Sequence, residues 1–172
     1  LNGGECDDSG GSITCDCDAI SFEGPLCESV SYDLPITIAD HFAPTGYTGD
    51  GATPGVVNDD DACPIDPGEL EGNCHRFSYL GGVSFAGIVW QHPADNWGDA
   101  PGFPMPEGAK AVSFWAWGET GDELVEFKAG LGDIDGFSQS SGTVPLTTTP
   151  TRYVIDLSDV TYGEVVGGFS WS

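Results

Sequence analysis

At 172 residues the chain is long enough for one β-sandwich of ordinary size and a small appendage. Four Lys and Arg stand against 28 Asp and Glu, a formal net charge of -24, and a field of that sign repels nucleic acid and anionic lipid. With 39% apolar and 11% aromatic residues a core can still be built, and no apolar run approaches the roughly 18 residues of a membrane span, so disordered-tail and membrane-spanning classes drop out as well.

Residues 1–29 are polar and dense in cysteine, running Leu-Asn-Gly-Gly-Glu-Cys, then Gly-Gly-Ser-Ile-Thr-Cys-Asp-Cys, then Phe-Glu-Gly-Pro-Leu-Cys-Glu. Six cysteines in the whole chain, with no reducing-site motif, place it in an oxidising compartment, extracellular or on the outer cell surface. The Asn-Gly-Gly-x-Cys opening and the Gly-Pro-Leu-Cys-Glu close resemble the second half of an EGF-like module. On that resemblance Cys6, Cys15, Cys17 and Cys27 take its third to sixth cysteine positions, and Cys17 pairs with Cys27. For Cys6 and Cys15 two arrangements stand: with each other, or with cysteines upstream of the chain. Further on, Cys63 and Cys74 close a loop of about ten residues, worth roughly 2–3 kcal/mol by loop-closure entropy. His75 is the one soft ligand near them, too few for a zinc site.

From about residue 30 the pattern is all-β. The segments His75–Tyr79, Phe85–Gln91, Ala111–Trp117, Leu124–Ala129, Thr143–Leu146, Arg152–Leu157 and Val165–Trp171 read as strands. In Ala111–Trp117, Val112, Phe114 and Ala116 share one face and Ser113, Trp115 and Trp117 the other. Val125, Phe127 and Ala129 alternate in the same way with Glu126 and Lys128. Pro93–Pro106 and Asp133–Ser141 are expected as loops, and no helix is expected beyond a turn or two. The stretches Phe-Ala-Pro-Thr-Gly-Tyr-Thr-Gly-Asp-Gly, Gly-Ile-Val-Trp-Gln-His-Pro-Ala-Asp-Asn-Trp-Gly, Val-Ser-Phe-Trp-Ala-Trp-Gly and Val-Val-Gly-Gly-Phe-Ser-Trp resemble a group of bacterial secreted or lipoprotein β-sandwich domains, themselves similar to galactose-binding-like, jelly-roll carbohydrate-binding modules. The fold expected is thus all-β: a partial EGF-like module at 1–29 as a small disulfide-rich appendage, then a jelly-roll β-sandwich at 30–172. Domains of that group continue past the Gly-Gly-Phe-x-Trp strand, so two arrangements stand in this expectation: a closing segment beyond Ser172, or a sandwich with an unpaired position.

The segment from Trp90 to Asp99 is the most distinctive. A sugar ring stacks its C–H face on an aromatic plane while amides, imidazoles and carboxylates take its hydroxyls. Trp90, Gln91, His92, Asp95, Asn96 and Trp97 supply both parts, and Trp115 and Trp117 extend the platform from their strand. The opposing reading is that these tryptophans fill the core, their indole N–H groups met by loop carbonyls. Hard oxygen ligands gather in Gly49-Asp50-Gly51 and Asn58-Asp59-Asp60-Asp61. The spacing is not that of an EF-hand, yet jelly-roll modules commonly hold calcium at a sandwich edge, and Asp50, Asp59 and Asp60 are the candidates for Ca2+. His41, His75 and His92 are scattered and no Gly-x-Ser-x-Gly elbow occurs, so no catalytic residues are assigned. Two functions follow: a non-catalytic module that binds polysaccharide or surface glycan, or a structural subunit of a filament, sheath or surface layer that self-assembles through unpaired sheet edges.

Overall fold

A computed structural model describes residues 5–7, 14–16, 22–23, 29–30, 32–50, 55–58, 70, 73–81 and 83–172. In chain order the strands are β1 (Glu5–Asp7), β2 (Thr14–Asp16), β3 (Phe22–Glu23) and β4 (Ser29–Val30). A single helical turn, α1 (Ile38–His41), leads into β5 (Ala43–Gly49), β6 (Val56–Asn58), β7 (Phe77–Tyr79), β8 (Ala86–Gln91) and β9 (Phe103–Pro104). Then come β10 (Ala111–Ala116), β11 (Leu124–Gly132), β12 (Phe137–Pro145), β13 (Thr151–Asp156), β14 (Glu164–Val165) and β15 (Gly167–Trp171). The described chain is nearly all-β and its ladders are antiparallel, an arrangement consistent with a β-sandwich.

The largest sheet has five strands in the order β12-β11-β15-β8-β5. Within it β8, between β15 and the edge strand β5, is buried along its whole length, which the Ala-Gly-Ile-Val-Trp-Gln sequence permits because no charged side chain interrupts it. Against this sheet lie three short pairs, β10 with β13, β9 with β14, and β6 with β7. Two apolar clusters join the layers. One gathers Phe42, Val56, Ala86, Ile88, Trp90, Phe103 and Val165; the other gathers Val112, Phe127, Ala129, Ile155 and Leu157. In the second, the Phe114 ring lies 4.6 Å from Phe127 and 4.5 Å from Phe169, centroid to centroid. Such ring pairs are each worth about 0.5–1.5 kcal/mol beyond the area they bury.

The alternation expected in Ala111–Trp117 is observed: Val112 is buried and Phe114 packs inward, while Ser113 and Trp115 face out. Three expectations need correction. The Pro93–Pro106 segment is not all loop, because Phe103 and Pro104 form β9 and pair with β14. Residues 133–141 are not all loop, because the turn ends at Gly136 and β12 begins at Phe137. This strand sits at the edge of the sheet with largely polar, half-exposed residues, so it carries no apolar alternation to read. The Val165–Trp171 segment is two strands, since Val166 separates β14 from β15 and the β8–β15 register shifts between Gly167 and Phe169. At the other edge of the sheet, β5 tolerates Pro44 because an edge strand has backbone donors that need no ladder partner.

In the N-terminal region β1 pairs with β2 so that Cys6 stands opposite Cys15 in the register. Cys74 is disulfide-bonded. Its expected partner Cys63 lies outside the described residues, as do Cys17 and Cys27.

One carboxylate ties distant elements of the sandwich together. Asp135, half-buried in the β11–β12 turn, accepts from the N–H of Leu131 at 2.7 Å, of Val166 at 2.6 Å and of Gly167 at 3.0 Å. The turn is thereby pinned to the entry of β15.

Candidate functional site

The residues proposed as one aromatic site divide between a loop after β8 and a cleft beside β10. The loop is held from within. Gln91 has 0% of its surface exposed; its Oε1 accepts from Thr45 Oγ1 at 3.2 Å and its Nε2 donates to the Asn96 carbonyl at 2.5 Å. Across from it, a Cβ on Gly46 would stand 2.6 Å from Gln91 Cδ, so a side chain there would displace the amide. Asn96, 5% exposed, is bonded at both ends. Its Nδ2 donates to the carbonyls of His92 and Ala100, each at 2.9 Å, and its Oδ1 accepts from Gly98 N–H at 2.9 Å and Ala100 N–H at 3.2 Å. His92 Nδ1 lies 2.6 Å from the His41 carbonyl; a carbonyl only accepts, so this nitrogen carries the proton. Asp95 takes a left-handed φ of 62° and its N–H donates to Thr45 Oγ1 at 2.8 Å.

These bonds change the meaning of the segment. Gln91, His92 and Asn96 were expected to meet sugar hydroxyls; they meet the protein's own backbone and Thr45, as buried polar groups must. Trp90 is 7% exposed and turned into the core, edge-on to Phe77 at 5.5 Å and Phe169 at 5.1 Å, so neither ring face is open to a ligand. Of the candidates from Trp90 to Trp97, Asp95 and Trp97 are exposed, Trp97 with 46% of its surface, and His92 is half-buried.

The cleft beside β10 is open to solvent and measures about 2200 Å³. Trp90, Phe127 and Phe169 of the five-stranded sheet line it, and Tyr79, Trp115 and Trp117 come to it from the opposite layer. Trp115 is 43% exposed because the alternation of β10 sends its neighbours inward. It stands opposite Arg152 in the β10–β13 register, and Arg152 in turn donates to Ser113 Oγ at 3.1 Å. Thus Trp115 and Trp117 reach the rim of the cleft and Trp90 stands in the core beneath it, while Gln91, His92, Asp95, Asn96 and Trp97 lie outside it. Among the described strands β10 ladders with β13 alone and β7 with β6 alone, so both strands that line the cleft keep one edge without a partner. Sequence reasoning missed Arg152, whose relevance depends on a cross-strand register that no local pattern encodes.

Of the calcium candidates, Asp59 and Asp60 lie outside the described residues. The Asp50 carboxylate accepts the Ser84 N–H at 3.0 and 3.1 Å on its two oxygens, the Ser84 hydroxyl, and the Phe85 N–H at 3.5 Å. It therefore closes the turn before β8 and offers a metal fewer lone pairs than a free carboxylate would. Among the described residues no three His, Cys, Asp or Glu come together as a metal site, and no helix is long and apolar enough to cross a membrane. Set against protein-family models, curated proteins and solved structures, the chain matches none.

The hydroxyl and N–H of Ser84 hold the Asp50 carboxyl below its ordinary value of 3.8, and Ser158 does the same for Asp156. Lys128 and then Ser140 hold Glu126 below 4.5. A depressed carboxylate contributes stability that is full above its ordinary value and is lost as the pH falls through the lowered one. Acid is thus expected to weaken the fold below pH 3.8 to 4.5, and Asp50→Asn to make that decline shallower. Urea midpoints measured from neutral pH down into this range check it; identical acid limbs in the two proteins would refute a role for Asp50.

Proposed function

We propose that the protein is a non-catalytic extracellular glycan-binding module of a bacterial cell surface, with a partial EGF-like module at 1–29 ahead of a jelly-roll domain at 30–172. The observation that carries the reading is the exposed indole of Trp115, standing on the outward face of β10 beside an aromatic-lined cleft. A flat apolar ring at the rim of a concavity is what the apolar face of a sugar ring requires. The recognition surface is accordingly centred on the cleft and Trp115, with Trp117 next to it. Calcium at the loop of Asp50, Asp59 and Asp60 stays in the proposal as a structural ion, and no step of recognition is assigned to it.

Trp115→Ala is expected to weaken retention in polysaccharide affinity gels about tenfold or more, equivalent to about 1.4 kcal/mol. Trp97→Ala, which alters a ring outside the cleft, is expected to change it far less. Equal losses from both variants would move the site to the loop after β8, and binding to no plant, algal or bacterial glycan would sink the reading. A second reading, a subunit of a filament or surface layer, is favoured by the unladdered edges of β7 and β10. Light scattering separates the two, since assembly requires oligomers that grow with concentration.

A further inference from the structure

The chain has only four cationic side chains besides its histidines, Arg76, Lys110, Lys128 and Arg152. Arg76 precedes β7, Lys110 precedes β10, Lys128 lies in β11 and Arg152 in β13, so they are dispersed in sequence and belong to different elements. All four line the same cleft. Among the described residues that line it, the acids are Glu119, Glu123 and Glu126. Among its described lining residues, then, this concavity of a molecule of formal net charge -24 has cations no fewer than acids, and it takes in every Lys and Arg of the chain.

Two of the four have partners. Lys128 Nζ lies 2.8 Å from Glu126, and Arg76 lies 4.0 Å from Glu119. Among the described residues Lys110 and Arg152 have no ion-pair partner. Arg152 is held by Ser113 Oγ, a neutral acceptor, and stands across the ladder from Trp115. A guanidinium beside an exposed indole, both on the outward face of one strand pair, offers a planar fork for an anionic oxygen pair next to a stacking surface. Lys110, at the start of β10, adds a point charge along the same strand. With four cations against three acids among its described lining residues, the cleft departs from the sign of a chain whose net charge is -24.

We propose that the cleft binds an anionic glycan, a chain of sugar rings carrying carboxylate or sulfate groups, with rings against Trp115 and Trp117 and acidic groups against Arg152 and Lys110. This rests on the glycan-binding reading and narrows it to a substrate class. An acidic peptide is the competing ligand for the same charges. It would enter by adding to the free edge of β10 through its backbone and would have no use for an indole and a guanidinium side by side on the outward face. The field of net charge -24 opposes every polyanion, a second copy of the chain included; the glycan differs in adding ring stacking on Trp115 and Trp117 to its contacts with the cations.

The test compares, at fixed ionic strength, binding of the full chain to a polyuronate, to the same polymer with its carboxyls reduced to alcohols, to a sulfated polysaccharide and to poly-glutamate. Binding to the polyuronate or the sulfated polymer at least about tenfold tighter than to the reduced polymer supports the proposal, as does a similar loss in Arg152→Gln. Lys110→Gln, at an exposed position before β10, gives a second reading if Arg152→Gln fails to fold. Equal binding to the polyuronate and its reduced form overturns the proposal while leaving the glycan-binding reading intact. Binding to poly-glutamate alone overturns it in favour of an acidic peptide. Binding to none of the four polymers, nor to any neutral glycan, overturns both.

Discussion

Asp135→Ala is expected to destabilise the fold by about 3–4 kcal/mol, the largest loss expected from a single carboxylate in this chain. The two oxygens of Asp135 accept three backbone N–H groups, from Leu131 in β11 and from Val166 and Gly167 where β14 passes into β15. Removing an acceptor from a buried donor costs about 1–3 kcal/mol for each donor left without one, and partial access of water to this half-buried turn reduces the total. Asp135→Asn sharpens the test. The amide can offer its oxygen to the pair Leu131 and Gly167, but its NH2 then faces the Val166 N–H, two donors with no acceptor between them. The expected order of urea midpoints is therefore native, then Asn, then Ala. An Asn variant as stable as the native protein would mean that the second oxygen contributes nothing and that the turn is held by packing alone. Against a domain stability of about 5–15 kcal/mol, the Ala variant would unfold at a visibly lower urea concentration.

Such a residue marks the boundary of what the sequence discloses. Strands that bury one face announce themselves: β10 places Val112 inward and Trp115 outward, and Phe127 and Ala129 of β11 enter the core, as their alternation predicts. Strands at the rim do not. Only the end of β12 is read as a strand, at Thr143–Leu146, because the polar run from Ser138 to Ser141 hides the rest, and β5 carries Pro44, Gly46 and Gly49, residues that argue against a strand until its edge position is known. Asp135 is one of 28 acids, and its partners Val166 and Gly167 are more than thirty positions away, so only the folded register distinguishes it from a solvated carboxylate.

The candidate site was legible in kind and misplaced in part. The concentration of Trp, Gln, His and Asn after β8 suggested recognition, yet the chemistry that makes Gln91 and Asn96 good partners for hydroxyls also makes them good partners for loop carbonyls, and the loop is nearer. Trp115 was legible because its strand alternates. The charge pattern of the cleft was not, since Arg76, Lys110, Lys128 and Arg152 are spread over 77 positions of sequence and meet only through the packing of two layers.

Asn96→Asp is expected to destabilise the protein more than Asn96→Ala, although it is the closer replacement in shape. The alanine variant loses four hydrogen bonds that close residues 92–100 into a rigid loop, at a cost of about 2–3 kcal/mol, with water replacing some of them once the loop opens. The aspartate variant keeps the acceptor that Gly98 and Ala100 use. It also sets an anionic oxygen where Nδ2 now stands, 2.9 Å from each of the carbonyls of His92 and Ala100, at a position only 5% exposed. Two acceptors facing a buried charge leave it neither solvated nor paired, and several kcal/mol is the usual consequence. Neither variant removes the backbone carbonyl of residue 96 that Gln91 Nε2 bonds, but both remove the side-chain bonds that close residues 92–100, so Trp97 should lose its fixed position in each. Denaturant midpoints rank the stabilities, and Trp97 fluorescence anisotropy in a protein with its other tryptophans changed to Phe reports the loop. An Asn96→Asp variant as stable as the native chain would mean that the two bonds from Nδ2 contribute nothing to the fold and that the loop is held by packing alone.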